Sequence, residues 1–265
     1  MSKPSTHRAR KRFGQNFLQD DAIIDGIAAA IAPRPDDHLV EIGPGQGALT
    51  EGLVESCGQL DVIELDRDLV PGLLAAFSVH PHFKLHQADA LTFDFGSLVN
   101  GPEQLRVVGN LPYNISTPLI FKLLENATII KDMHFMLQLE VVQRLAAEPG
   151  NKHWGRLGIM SQFHCRVEHL FDVPPEAFNP PPKVQSAIVR LVPHTQTLWP
   201  ECDVAALRRV VQAAFAQRRK TLRNNLKGVI DDTDLQALGI DPGARAETLA
   251  LDQFVQLAEL LGNTA

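Results

Sequence analysis

The sequence predicts an α/β fold: a doubly wound, mostly parallel sheet followed by a small all-helical C-terminal domain. Three observations carry this. Between residues 38 and 139, apolar runs of five to eight residues alternate with segments of helical period, the pattern of parallel strands covered on both faces. Two further β-rich runs, at 164–173 and 184–192, flank a proline cluster. Beyond Pro200 no strand-like run remains, and apolar residues recur at three- and four-residue spacing.

Taken in order, a helix is expected over 20–31 and the first strand over 38–42, which runs into Gly43-Pro44-Gly45-Gln46-Gly47. A helix over 48–57 opens directly from those glycines. The strand at 60–65 carries Glu64 at its end, and a helix over 67–77 follows. The strand at 82–87 stops just before Asp89. The strand at 104–109, Leu105-Arg106-Val107-Val108-Gly109, delivers Asn110-Leu111-Pro112-Tyr113-Asn114, and Thr117-Pro118 then supplies a cap and a first-turn residue for a helix over 116–126. A strand at 133–139 and a helix at 140–147 complete the alternation. His164–Val173 and Val184–Val192 are expected to pair as a hairpin-like unit closing one sheet edge. Pro174, Pro175, Pro180, Pro181 and Pro182 keep their connection out of the ladder. Helices over Val204–Gln217, Thr221–Val229 and Ala246–Leu261 form the last part, with domains at 1–197 and 198–265.

At 265 residues and 45% hydrophobic, the chain can bury one large core and carry a small appendage. Cys57, Cys165 and Cys202 form no CxxC pair and are odd in number, which argues against a disulfide framework and a zinc knuckle and fits a reducing compartment. No 18 apolar residues run together, and the basic, polar start lacks a signal-peptide core, so a soluble cytoplasmic protein is expected. The net charge of −6 speaks against a nucleic-acid partner only as an average. Residues 1–19 hold five cations and no acid, residues 208–227 hold seven and no acid, and the remaining 13 cations face all 31 acids. Such segregation has the form of an electrostatic footprint on an acidic body, although either segment alone also reads as a solvated face.

Two motifs carry chemistry. Glu41-Ile42-Gly43-Pro44-Gly45 ends a strand and leads into a helix, where glycines permit a sharp turn close to a ligand and the helix start offers free N–H groups. Glu64 lies 21 residues after Gly43, where an acid accepts from ribose hydroxyls. Gly43, Gly45 and Ala48 also satisfy a dinucleotide pattern, so the loop alone leaves the nucleoside open. Asp89, at the next strand end, either accepts from an adenine amine or N-caps the next helix.

The second motif is Asn110-Leu111-Pro112-Tyr113. Pro112 restricts Leu111 to extended geometry, so its carbonyl points outward beside the Asn110 amide, and Tyr113, the only tyrosine, adds a flat face. Two acceptors and a ring fit an aromatic base with an exocyclic amine: the acceptors take its two hydrogens while the ring stacks. Holding those hydrogens out of plane returns the lone pair to nitrogen. No strong base is needed if the electrophile is already activated, as a sulfonium methyl is.

Gln15-Asn16-Phe17-Leu18, Glu41-Ile42-Gly43-Pro44-Gly45, Glu64, Asp89, Asn110-Leu111-Pro112-Tyr113-Asn114 and Phe178-Asn179-Pro180-Pro181-Pro182-Lys183-Val184-Gln185-Ser186 together resemble the rRNA adenine dimethyltransferases over essentially the whole chain. Length and helical tail are similar to those of the bacterial small-subunit branch. DNA amino-methyltransferases usually carry proline where Leu111 stands, and the leucine fits the rRNA branch. The resemblance implies a Rossmann-like methyltransferase dependent on S-adenosylmethionine (SAM). It would dimethylate N6 of two adjacent adenosines in the hairpin loop near the 3′ end of small-subunit rRNA, late in subunit biogenesis. It implies SAM contacts from Asn16, Leu18, Gly43, Gly45, Glu64, Asp89 and Asn110. The target base would be held by Asn110, Leu111 and Tyr113, with Phe178 as an opposing face or else a core anchor. RNA contacts are assigned to Arg10, Lys11, Arg12, Lys183, Arg218, Arg219, Lys220 and Arg223. It implies further a monomer acting on the immature 30S subunit, with no metal and no membrane. Three rivals remain at this point: a large-subunit rRNA methylase of the macrolide-resistance type, a dinucleotide oxidoreductase, and a ribosome-assembly factor acting by binding.

Overall fold

The computed structural model describes residues 16–101 and 104–263. In chain order the elements are β1 (Phe17–Leu18), α1 (Asp21–Ile31), β2 (His38–Ile42), α2 (Thr50–Val54), β3 (Gln59–Glu64), α3 (Val70–Phe77), β4 (Phe83–Gln87), β5 (Leu105–Asn110), α4 (Ser116–Glu125), β6 (Ile130–Gln138), α5 (Leu139–Leu145) and α6 (Arg156–His164). They continue with β7 (Cys165–Val173), β8 (Phe178–Asn179), β9 (Ser186–Pro193), α7 (Val204–Ala214), α8 (Leu222–Asn225), α9 (Asp232–Ala237) and α10 (Leu251–Asn263). The α/β class is as expected. Seven strands form one sheet in the order β4-β3-β2-β5-β6-β9-β7, and β1 pairs separately with β8.

β2 runs parallel to both β3 and β5, β3 to β4, and β5 to β6; β9 is antiparallel to β6. The two late β-rich runs therefore close one edge, as their sequence suggested. The chain moves outward from β2 through β3 to β4, then returns to β5 on the other side of β2. This reversal is the topological switch point, outside whose strand ends ligands bind. At that seam β5 and β2 approach closely: a Cβ on Gly109 would lie 2.4 Å from the Ile42 carbonyl oxygen, so only glycine fits.

The one cation inside the apolar run of β5 has a structural reason. Arg106 is buried at the opposite end of the sheet, where it makes a two-point contact with Asp132 (2.9 Å and 2.9 Å) and reaches Asp37 (2.7 Å). It also donates to the carbonyls of Ile31 (2.6 Å) and Ala32 (3.3 Å), tying the end of α1 to the sheet. Lys131 completes the group on Asp37 at 3.0 Å. A buried guanidinium with two carboxylates and two carbonyls has its charge and donors answered, the condition for an ion pair to persist in a core.

The chain divides into two compact units, residues 1–142 with 168–193, and residues 143–167 with 194–265. The sequence reading put the break at 197/198 and kept 143–167 with the sheet, whereas those residues cluster with the helices. Two helices were missed. In α6, Leu157, Gly158, Ile159, Met160, Ser161 and Phe163 are all buried, so no one-sided stripe marks it. α9 is six residues long, fixed by the Asp231 side chain accepting from Asp234 N–H (2.9 Å). The expected helices at 221–229 and 246–261 shorten to α8 and α10, the latter preceded by a 3-10 turn at Ala246–Thr248.

Candidate active site

One cleft opens at the carboxyl ends of β2, β3 and β5. It is lined by Asn16 and Leu18, by Gly43 and Gly45, by Glu64, by Asp89, and by Asn110, Leu111, Pro112 and Tyr113. The cradle is built by backbone. Gly43, Gly45 and Gly47 have φ of 68°, 61° and 89°, a region that favours glycine, and Gly43 N–H donates to the Ile63 carbonyl at 2.9 Å. The loop is also packed from below: a Cβ on Gly47 would stand 2.6 Å from the Phe77 ring, and one on Gly45 3.0 Å from Phe17.

Two carboxylates sit under this loop. Glu64 accepts from Asp66 N–H at 2.7 Å, with the N–H groups of Gly45 and Leu65 also directed at it; burial nevertheless holds its pKa above the usual carboxylate range. Glu41 is 2% exposed, and its Oε2 accepts from Thr50 Oγ1 at 2.6 Å. Burial, with the nearby charge of Glu64, pushes Glu41 up to about 7. Asp89 is half-buried, lines the cleft and accepts from Leu91 N–H at 2.9 Å; what it caps is a turn, where a helix was expected.

The second motif lies where β5 ends. Asn110 Nδ2 donates to the Asn16 carbonyl at 3.1 Å. The Leu111 side chain is buried and its N–H donates to the Met136 carbonyl at 3.2 Å, which continues the β5–β6 pairing one residue beyond the strand. The Tyr113 hydroxyl lies 2.8 Å from Ser186 Oγ, a fully buried group that opens β9, and burial raises the phenol's pKa. The ring is thereby held at the wall of the cleft. Its partner Ser186 and the Glu41–Thr50 pair went unassigned in the sequence, since neither contact follows a local spacing.

The family model for ribosomal RNA adenine dimethylase matches residues 6–263. The chain belongs to this family. It is a methyltransferase of the dimethylase type, and it is 62% identical over 98% of its length to "Ribosomal RNA small subunit methyltransferase A" of Pseudomonas syringae pv. syringae, covering 97% of that protein. Among solved structures, a dimethyladenosine transferase from Plasmodium falciparum shares the fold with a TM-score of 0.80 at 24% identity, covering 93% of this chain and 98% of that one. The 23S rRNA methyltransferase ErmE aligns with a TM-score of 0.72 at 29% identity, over 93% of this chain and all of that one.

The dimethylase motifs thus converge on one cleft, with one exception. Phe178 does not line it. At 4% exposure Phe178 packs in the core cluster with Phe17, Ile27 and Ile188, its strand β8 paired with β1 (Leu18 opposite Phe178). The core-anchor alternative describes it, and the stacking-face role is withdrawn.

The RNA assignments are scattered. Arg10, Lys11 and Arg12 lie outside the described residues. Lys183 is exposed in the connection between β8 and β9. Within the helical unit three loops are stitched together: Gly150 N–H donates to the Glu247 carbonyl (2.7 Å), Arg218 to the Lys152 carbonyl (2.6 Å), and Leu222 N–H to the Ala244 carbonyl (2.8 Å). Arg218, Arg219, Lys220 and Arg223 are exposed there, and the stitching adds Lys152 and Arg245, which the sequence reading passed over. Not all this charge is free. Arg223 pairs with Asp232 at 2.5 Å and Arg218 approaches Glu247 at 3.7 Å. Among the described residues Arg219 and Lys220 make no ion pair.

Proposed function

We propose that the chain transfers methyl groups from SAM to N6 of two adjacent adenosines in the 3′-terminal hairpin loop of small-subunit rRNA, giving N6,N6-dimethyladenosine on immature 30S subunits. One observation carries the reading: the glycine cradle, Glu64, Asp89 and Asn110-Leu111-Pro112-Tyr113 line a single cleft in a chain of the dimethylase family.

The residues fit a nucleoside-bearing donor. A loop of left-handed glycines brings backbone close to the ligand, and Glu64, immobilised by backbone N–H groups, stands at the end of β3 where an acid clamps ribose hydroxyls. Asp89 would accept from the adenine amine of the donor, and Asn16 and Leu18 would cover it. SAM supplies a methyl already activated on a sulfonium centre. The chain's own part is to bind, align and accept. Asn110 Oδ1 and the Leu111 carbonyl take the two hydrogens of the target amine, turning its lone pair toward the donor, and Tyr113 supports the extruded base. Arg219 and Lys220, with their neighbours, grip phosphates. The chain would act as a monomer in the cytoplasm; among the described residues no helix is long and apolar enough to cross a membrane.

The large-subunit alternative is supported less well, by 29% identity to ErmE against 62% to the small-subunit relative. Asn110→Ala tests the chemistry. In single-turnover assays with labelled SAM and small-subunit rRNA, its rate is expected to fall by at least about a hundredfold, as for loss of one oriented polar group in a transition state. A rate near wild type would remove the assignment.

A further inference from the structure

An amide side chain has one donor end and one acceptor end, of nearly the same shape. For Asn110 to hold a target amine, its oxygen must face the cleft; the flipped amide would set N–H against N–H and bind nothing. Only the nitrogen end can donate to a carbonyl, and Asn110 Nδ2 donates to the main-chain oxygen of Asn16 at 3.1 Å. Reversing the amide would put two acceptor oxygens face to face.

The position of that carbonyl is itself fixed. Residues 16–19 form a strap across the cleft: Phe17 pairs with Asn179 and Leu18 with Phe178, and Gln19 N–H donates to the Ala177 carbonyl at 2.9 Å. The Phe17 ring is buried against the cradle, 3.0 Å and 3.2 Å from where a Cβ on Gly45 would stand. The strap therefore touches the donor loop at one residue and the Asn110 amide at the next.

We propose that the main-chain carbonyl of Asn16 is a positioning group for methyl transfer: it fixes the Asn110 amide with Oδ1 toward the target amine. The proposal rests on the reading of Asn110 given above. A neutral hydrogen bond of this kind biases the two amide orientations by about five- to tenfold. Loosening the strap drops the productive orientation from roughly nine in ten to about half, which slows the chemical step about twofold without weakening RNA binding.

Gln19→Pro tests this away from the cleft. Gln19 is exposed, its N–H serves the clasp to Ala177, and a proline there removes that donor while favouring an extended Leu18, as it is in β1. In the full-length variant the Asn110 side-chain amide protons, followed by NMR, are expected to lose their protection. Single-turnover methylation at saturating SAM and RNA is expected to slow about twofold, with KM for RNA unchanged. A wild-type rate at saturation, or a loss cured by more SAM, would overturn the proposal. If Gln19→Pro does not fold, Asn110→Asp serves: a carboxylate cannot donate to the Asn16 carbonyl, so the Gln19 amide that donates to Ala177 should exchange faster, and unchanged exchange overturns the clasp. Full activity in Asn110→Ala would overturn the parent reading, and the proposal with it.

Discussion

Glu41→Gln is expected to stabilise the ligand-free chain, and to do so increasingly as pH rises from 4.5 to about 7. Glu41 is fully enclosed, its one hydrogen bond comes from Thr50 (2.6 Å), and Glu64 adds a second negative charge nearby. Its pKa is raised from 4.5 to about 7. Between those values the folded chain keeps a proton that the unfolded chain has released, so stability falls as pH rises through that window and stays reduced above it. A displacement from 4.5 to about 7 is worth about 3 kcal/mol at pH 9, of which about 1 kcal/mol is already present at pH 5. Glutamine keeps an acceptor for Thr50 and has no charge to bury. The stability difference between Glu41→Gln and wild type should therefore grow by about 2–3 kcal/mol from pH 5 to pH 9, read as a shift in urea midpoint at constant slope. A difference independent of pH would show that Glu41 is not a charged group held in an apolar pocket.

Arg106→Ala strands Asp37 and Asp132 without their shared partner, and urea unfolding should show a loss of about 3–5 kcal/mol; a change below ~1 kcal/mol would mean the network does not hold α1 to the sheet. Gly109→Ala forces a methyl against the Ile42 carbonyl at 2.4 Å, so β2 and β5 must part beneath the cleft, with stability expected to fall by about 1–3 kcal/mol and SAM affinity with it, measured by calorimetry. The double variant Arg219→Ala with Lys220→Ala should reduce the slope of log affinity against log salt for rRNA by about two, and an unchanged slope would place the phosphate contacts elsewhere.

Much of the cleft was legible because each strand of the sheet announces its own end. An apolar run stops at a single polar or glycine residue, at Gly43, Glu64, Asp89 and Asn110, and a parallel sheet must bring such ends to one side. What stayed hidden depends on contacts between residues far apart in the chain. The β1–β8 ladder is two residues long, too short for any period, yet it decides that Phe178 points into the core and that Asn16 reaches Asn110. The helix α6 is buried on every side and so carries no stripe, and the segment around it gave no sign that it would pack with the C-terminal helices. The basic run at 218–223 was visible as charge, but its partial neutralisation by Asp232 and Glu247 was not, because those acids open α9 and sit in the 3-10 turn before α10, which only the fold brings near.

This cleft is expected to convert adenosine in small-subunit rRNA to its N6,N6-dimethyl form. Mass spectrometry of nucleosides from immature small subunits and from large subunits, each incubated with the chain and labelled SAM, reads this directly. The expected result is label in N6,N6-dimethyladenosine from the small subunit alone. Label confined to large-subunit RNA, or no labelled adenosine in either, would contradict it.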